Sequence, residues 1–392
     1  MKFINYRRLS TYPYIFIAVY GVFVAVMLIS ALLSSNINTD FMGRPLGADF
    51  SHYWIAATMS GAGEATAVYD VMHFIKVQED YFKVQFPLPF LYPPTWLLLL
   101  MPLAFLPYLL ALGLWLGTTL GLYLYVIKKI NPHHLTIPIA LAFPATFQNF
   151  FHGQNGFLSA ALMGGGLYML RQNPLAGGVL LGLLSYKPNL WPLIPLALMA
   201  GRHWRALSAA VVTALSLALC SVLILGSDAW MAYLHSLDLP VQLLQSGSLP
   251  LEKMVTLFPT LVLAGVSMEV AITIQAILMI STGVTVYALW RRDVSFEMQA
   301  AGLVLGALLF TPYAFSYDLT LMGLAIAWLL VEGLGKGWLR GEPWLYTVAW
   351  FAPFLVAFQV VLPLPMAASI VFTAFIVVIV KQKRNSKIFS DV

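Results

Sequence analysis

The run Leu207-Ser208-Ala209-Ala210-Val211-Val212-Thr213-Ala214-Leu215-Ser216-Leu217-Ala218-Leu219-Cys220-Ser221-Val222-Leu223-Ile224-Leu225 passes without a single charge. A helix crossing the hydrocarbon core of a bilayer needs roughly 17–25 residues of this kind. Tyr14–Leu33, Val270–Trp290, Trp344–Val361 and Pro363–Val380 repeat the pattern. The whole chain agrees: 60% of its 392 residues are apolar, 9% are charged, and mean hydropathy is +0.83. So few charges cannot cover a soluble surface. The fold class expected is therefore an all-α polytopic membrane protein of about ten or eleven helices. Residues 1–392 read as one transmembrane domain, retained at its N-terminus because no small-residue cleavage site follows Arg7 and Arg8. Cys220 is the chain's one cysteine; it can form no intrachain disulfide and reads as a small buried residue.

Between Trp96 and Ile127 the apolar run is too long for one span and contains Pro102 and Pro107, which predicts a hairpin or a broken helix. As two full spans it would leave Lys128 outside. From His134 to Ala200 the apolar pieces are shorter. They are split at His152-Gly153-Gln154-Asn155-Gly156, at Arg171-Gln172-Asn173-Pro174 and at Ser185-Tyr186-Lys187-Pro188-Asn189, a pattern suited to lining a cavity inside a membrane. The net charge of +5 is gathered in short clusters beside the spans. Positive-inside topology accounts for these clusters, and no nucleic-acid partner is implied. The same rule places residues 35–93 outside the cell or in the periplasm, as a first extracytoplasmic loop with short interfacial helices. Six acids against three bases make it the one large acidic excess in the chain.

Inside that loop lies Gly47-Ala48-Asp49-Phe50-Ser51-His52-Tyr53-Trp54. An ionisable group close to the hydrocarbon boundary is a functional hypothesis by default. Three further polar features fall on the same predicted face: Tyr92 in Phe90-Leu91-Tyr92-Pro93-Pro94, Lys187, and Tyr317-Asp318 in the turn that starts at Thr311. Gln154 and Asn155 join them from the first of the polar breaks. A carboxylate and a cation suit transfer of a group away from a phosphate: the base takes a proton from an acceptor hydroxyl, and the cation holds the phosphate and its growing charge. The sequence shows no nucleotide-binding glycine loop and no metal-ligand spacing, so no cofactor and no metal-ligating residue is expected and nothing demands a metal.

Each residue also has a plainer reading. Asp49 could cap a helix or pair with Arg44, Lys187 could snorkel to an interface, and Asp318 could cap the helix it precedes. Tyr92 and Trp54 suit an aromatic belt, and Gln154 and Asn155 suit a tight turn. Two rivals stand beside an enzyme: a transporter or flippase of lipid-linked saccharides, which should show repeated halves, and a membrane subunit with a structural role.

Taken in order, Asp49-Phe50-x-x-Tyr53-Trp54-x-Ala56-Ala57, Tyr69-Asp70, Tyr92-Pro93-Pro94, Pro102-Leu103-Ala104-x-Leu106-Pro107, Gly153-Gln154-Asn155, Ala176-Gly177-x-x-Leu180-x-Gly182-Leu183, Lys187-Pro188 and Pro312-x-x-x-x-Tyr317-Asp318 resemble glycosyltransferase family 87 of the GT-C superfamily. The resemblance runs from about Gly47 to about Leu321. Mannosyltransferases of that family carry a His-His pair where this chain has Tyr317-Asp318. The resemblance implies a GT-C-type helical bundle in the inner or plasma membrane, with its active site facing outward. It implies a polyprenyl-phosphate-linked hexose donor, mannose foremost, and a lipid or glycan acceptor. It maps the catalytic base onto Asp49 and the phosphate ligand onto Lys187. Tyr53, Tyr92, Gln154, Asn155, Tyr317 and Asp318 would then line the substrate pockets.

Overall fold

The computed structural model describes residues 44–83, 88–246, 249–357 and 366–388, together with Val22, Ala25, Ile29, Asn38 and Thr39. The expected first span, Tyr14–Leu33, lies outside the described residues apart from three single positions. The helices of the chain include α1 (Phe50–Gly61), α2 (Val71–Phe82), α3 (Pro94–Leu100), α4 (Tyr108–Ile130) and α5 (Pro144–His152). They continue with α6 (Gly156–Met169), α7 (Pro174–Leu183), α8 (Trp204–Leu225), α9 (Ser227–Ser236) and α10 (Leu239–Gln245). The last are α11 (Met268–Arg291), α12 (Phe296–Leu309), α13 (Thr320–Lys336), α14 (Glu342–Ala357) and α15 (Met366–Ile388). Among the described residues extended pairing is confined to two isolated bridges, Thr39 with Pro45 and Met254 with Phe315.

The chain is an all-α polytopic membrane protein. Among the described residues four helical stretches are long and apolar enough to cross a bilayer: Tyr108–Ile130, Trp204–Leu225, Met268–Arg291 and Ser316–Lys336. Their surroundings differ. Only 11% of the apolar window of α8 is buried by protein, against 78% of the Ser316–Lys336 window. Val212, Leu215, Leu219 and Leu223 stand outward on α8, a surface that lipid solvates at no cost and water would not. This corrects the reading of Cys220 as buried: it is exposed on α8, where an apolar side chain needs no protein cover. The run from Trp96 to Ile127 is a broken helix. α3 starts on the Pro93-Pro94 pair, gives way to a 3₁₀ turn over Met101–Phe105, and the chain restarts as α4 after Pro107.

The described residues gather into two compact units. The first comprises Met1–Gly121, Phe147–Asn155 and Ala214–Leu249. Its core is aromatic: the Tyr53 ring meets Trp96 edge-on at 5.5 Å and Tyr92 at 5.6 Å, and Phe50 lies 5.7 Å from Tyr108. The Trp54 indole donates to the Leu106 carbonyl (3.0 Å), tying α1 to the turn after α3. α2 starts where the Asp70 carboxylate accepts the His73 N–H (3.1 Å), and it ends on Lys83 in the left-handed region. Gly153, at φ 64°, sits so close to α1 that a Cβ there would lie 2.5 Å from the Phe50 Cβ. Only glycine allows that approach.

The second unit comprises Leu122–Thr146, Gly156–Thr213 and Pro250–Val392. In it α7 begins at Pro174 with the Asn173 side chain accepting the Ala176 N–H, and it runs into a 3₁₀ turn, Leu184–Tyr186, that presents Lys187. α12 packs on α13, and the loop between them is tied down from several sides. Val255 N–H donates to the Ala314 carbonyl (2.8 Å), the Thr256 hydroxyl to Pro312 (2.7 Å) and the Asn189 amide to Tyr313 (2.7 Å).

Candidate active site

In the first unit, the close approach at Gly153 carries the next two side chains to the start of α1. The Gln154 amide donates to Asp49 Oδ2 (2.9 Å), and the Gln154 carbonyl accepts the Tyr53 hydroxyl (2.5 Å). The Asn155 amide donates to both Tyr53 (3.0 Å) and Tyr92 (2.9 Å), whose hydroxyls are themselves 2.9 Å apart. The Asn155 backbone N–H reaches the same Gln154 oxygen at 3.2 Å. A phenol has one proton. Spent on Gln154, it leaves Tyr53 an acceptor toward its other neighbours. Tyr92, which accepts from Asn155, can then donate its own proton to Tyr53 across the 2.9 Å contact.

Asp49 precedes α1, yet its carboxylate makes no capping bond to the helix. The plainer reading of a helix cap therefore does not describe it. About a fifth of its side chain is exposed, while Gln154 and Asn155 are buried. This is a carboxylate oriented from behind by a buried amide, with a face left toward the surroundings. His152 Nδ1 lies 3.8 Å from the same Oδ2 and is 39% exposed. In the sequence His152 reads as part of a polar break; the fold sets it beside Asp49. His52, on α1 and outside the four spans, is buried against Tyr53 (ring centroids 4.4 Å apart). Burial pushes its pKa down to about 4, against the opposing pull of Asp49, so the imidazole is neutral at physiological pH.

In the second unit, Lys187 Nζ donates to Asp318 Oδ1 within an ion pair that is almost wholly buried. Asp318 Oδ2 accepts the Phe315 N–H (3.0 Å), and Lys187 Nζ lies 5.0 Å from the centre of the Tyr317 ring. Asp318 thus orders the 3₁₀ turn before α13, which itself takes no side-chain cap, and neutralises Lys187 as well. Lys187 does not snorkel.

The candidate residues therefore form two groups, one in each unit: Asp49, Tyr53, Tyr92, Gln154 and Asn155 in the first, and Lys187, Tyr317 and Asp318 in the second. A further buried pair, Lys381 with Glu342, had no counterpart in the sequence reading; the Tyr346 hydroxyl also donates to Glu342. Among the described residues no group of three or more His, Cys, Asp or Glu side chains converges as metal ligands would.

The model of glycosyltransferase family 87 matches residues 90–312, more than half of the chain. No curated protein and no solved structure matches it.

Proposed function

The chain belongs to glycosyltransferase family 87, and we propose that it moves a hexose, mannose foremost, from a polyprenyl phosphate to a lipid or glycan acceptor on the extracytoplasmic face. As a membrane glycosyltransferase it takes a sugar donor and an acceptor. The observation that carries the finer reading is the hold of Gln154 on Asp49: one carboxylate oxygen is fixed by a buried amide, and no hydrogen bond from a described residue reaches the other. That is how a general base is presented to an incoming hydroxyl.

The step is a single displacement. The acceptor oxygen attacks the anomeric carbon as its proton passes to Asp49. The bond from that carbon to the phosphate oxygen breaks, and its electron pair leaves with the polyprenyl phosphate. One displacement inverts the anomeric centre. In the cluster beside the base Tyr53 and Asn155 are buried and Tyr92 is half-buried, so Tyr92 is the member proposed to offer its hydroxyl to a sugar. The phosphate-side role is proposed for Lys187 on its chemistry: a buried ammonium placed over an aromatic ring and fixed by a carboxylate.

The test is transfer of labelled sugar from a polyprenyl phosphate by purified wild-type and Asp49→Asn protein of matched thermal stability. Removal of a general base typically costs about 10²–10⁴-fold in rate. An Asn variant that keeps more than about a tenth of wild-type turnover would remove Asp49 from the role of base.

A further inference from the structure

The first unit holds a cavity of about 430 Å³ whose lining includes Thr66, Tyr69 and Asp70 on one side and His235, Ser236 and Gln242 on the other. The volume falls in the range of small-molecule sites, and the space is an open groove along which Thr66, Asp70, His235 and Gln242 are exposed. Nothing in the assigned chemistry uses these six residues. They come from two separate places in the chain: the short turn that leads into α2, and the facing helices α9 and α10.

The lining selects a chemistry. Hydroxyls from Thr66 and Ser236, an imidazole from His235 and an amide from Gln242 offer donors and acceptors in turn. The one formal charge is the Asp70 carboxylate, whose Oδ1 is engaged by the His73 N–H. A phosphate or carboxylate ligand would meet like charge there and no cation, which disfavours an anion, and the uncharged donors and acceptors around the rest of the lining suit a ligand rich in hydroxyls. The cavity is also tied to the Asp49 network. Tyr69, buried with its ring 5.7 Å from that of Tyr233, donates its hydroxyl to the Tyr92 backbone carbonyl (3.0 Å). The side chain of the same Tyr92 belongs to the hydrogen-bond cluster beside Asp49. A wall of the cavity and a member of the base's surroundings are therefore fixed to each other.

We propose that this cavity is a subsite for the saccharide part of the acceptor, the sugar residues that lie beyond the hydroxyl being glycosylated. The word acceptor rests on the transferase reading above; the binding of a neutral saccharide does not.

His235 and Gln242 are exposed, so the double variant His235→Ala/Gln242→Ala should fold as wild type does. The probes are two diazirine-bearing mannobiosides, one a methyl glycoside and one an octyl glycoside, applied to the full-length protein in nanodiscs. The expected result is crosslinking to residues 66–71 and 232–242 that excess unlabelled mannobioside suppresses and the double variant largely loses. Equal labelling by both probes identifies a free glycan, and labelling by the octyl probe alone a lipid-linked one. Crosslinks elsewhere, or crosslinks unchanged in the double variant, overturn the subsite. In the transfer assay, two lost neutral hydrogen bonds predict an acceptor KM raised about five- to a hundred-and-fiftyfold. Donor KM and kcat should stay at wild-type values. An unchanged acceptor KM also overturns the proposal. Competed crosslinking without any transfer by wild-type protein would instead sink the transferase reading and leave the saccharide site standing.

Discussion

The Gln154 side chain grips Asp49 with its nitrogen while its oxygen takes the Tyr53 hydroxyl, so one amide fixes the carboxylate to the buried aromatic core. Both contacts are lost in Gln154→Met, which keeps most of the volume. A hydrogen bond to a charged group contributes about 1.5–3 kcal/mol, so turnover should fall roughly ten- to a hundredfold if that bond orients the base. Donor KM should change little. Steady-state kinetics against both substrates would check this; an unaltered kcat would show that Asp49 does not depend on Gln154.

The Lys187–Asp318 pair changes what an alanine scan means. Truncating one partner of a buried ion pair strands the other, at a cost of about 3–5 kcal/mol, whereas replacing both with apolar residues is often neutral. Lys187→Ala and Asp318→Ala should each lower the melting temperature in detergent sharply, and Lys187→Met/Asp318→Leu should recover most of the loss. The double variant then isolates the proposed phosphate role. If Lys187 holds the donor phosphate, the refolded double variant still loses donor affinity about tenfold or more. Wild-type donor affinity in that variant would leave Lys187 a structural residue.

The span Leu207–Leu225 was legible because lipid selects composition along a continuous stretch, and the same holds for Val270–Trp290; helices α8 and α11 extend each by only a few residues. The broken helix after Trp96 was legible for a local reason, since Pro102 and Pro107 remove backbone donors where they stand. Partnerships were not legible. Lys187 and Asp318 are visible as a cation and an acid in the sequence, but 131 positions separate them and no periodicity links them. Gln154 looked like a turn residue, and its approach to Asp49 depends on a glycine whose tight packing appears only once α1 lies against it. Lys381 carried the opposite lesson. With Lys383, Arg384 and Lys387 it forms a basic cluster of the kind that marks a cytoplasmic end, and the fold buries it against Glu342.

His52 predicts an acid-sensitive fold. Its folded pKa is lowered to about 4 by burial, against an ordinary value of 6.5. Above pH 6.5 both folded and unfolded states hold the ring neutral, and it contributes no pH dependence. As pH falls below 6.5 the unfolded state takes up the proton first, so stability drops progressively until the folded ring also protonates near pH 4. The full loss has a ceiling of roughly 3 kcal/mol. Melting temperatures from pH 7.5 to 4.5 should decline in wild type, and the His52→Leu variant should show a flatter profile over that range. Parallel profiles would assign the acid sensitivity to other groups.

The outward orientation of residues 35–93 is the premise on which the base, the acceptor and the cavity share one aqueous face, and it is open to direct test. Its motive is the acidic excess of the segment set against the basic clusters elsewhere. Positions for thiol labelling must be chosen from the fold, because Ala65 and Gln78 in this segment are buried and would resist any reagent from either side. Met72 is 78% exposed and Lys76 is also exposed on α2, so Met72→Cys and Lys76→Cys report access alone. Cys220 is replaced by alanine first, which is tolerable because its helix offers that face to lipid and not to protein. A membrane-impermeant maleimide should then modify both new cysteines in intact cells, or in spheroplasts where an outer membrane intervenes. A cysteine at Lys128 or Lys129, at the basic end of α4, should react only after permeabilisation. If Met72→Cys and Lys76→Cys label only after permeabilisation, the segment faces the cytoplasm, and a transferase working from the outer face could not use Asp49 as its base.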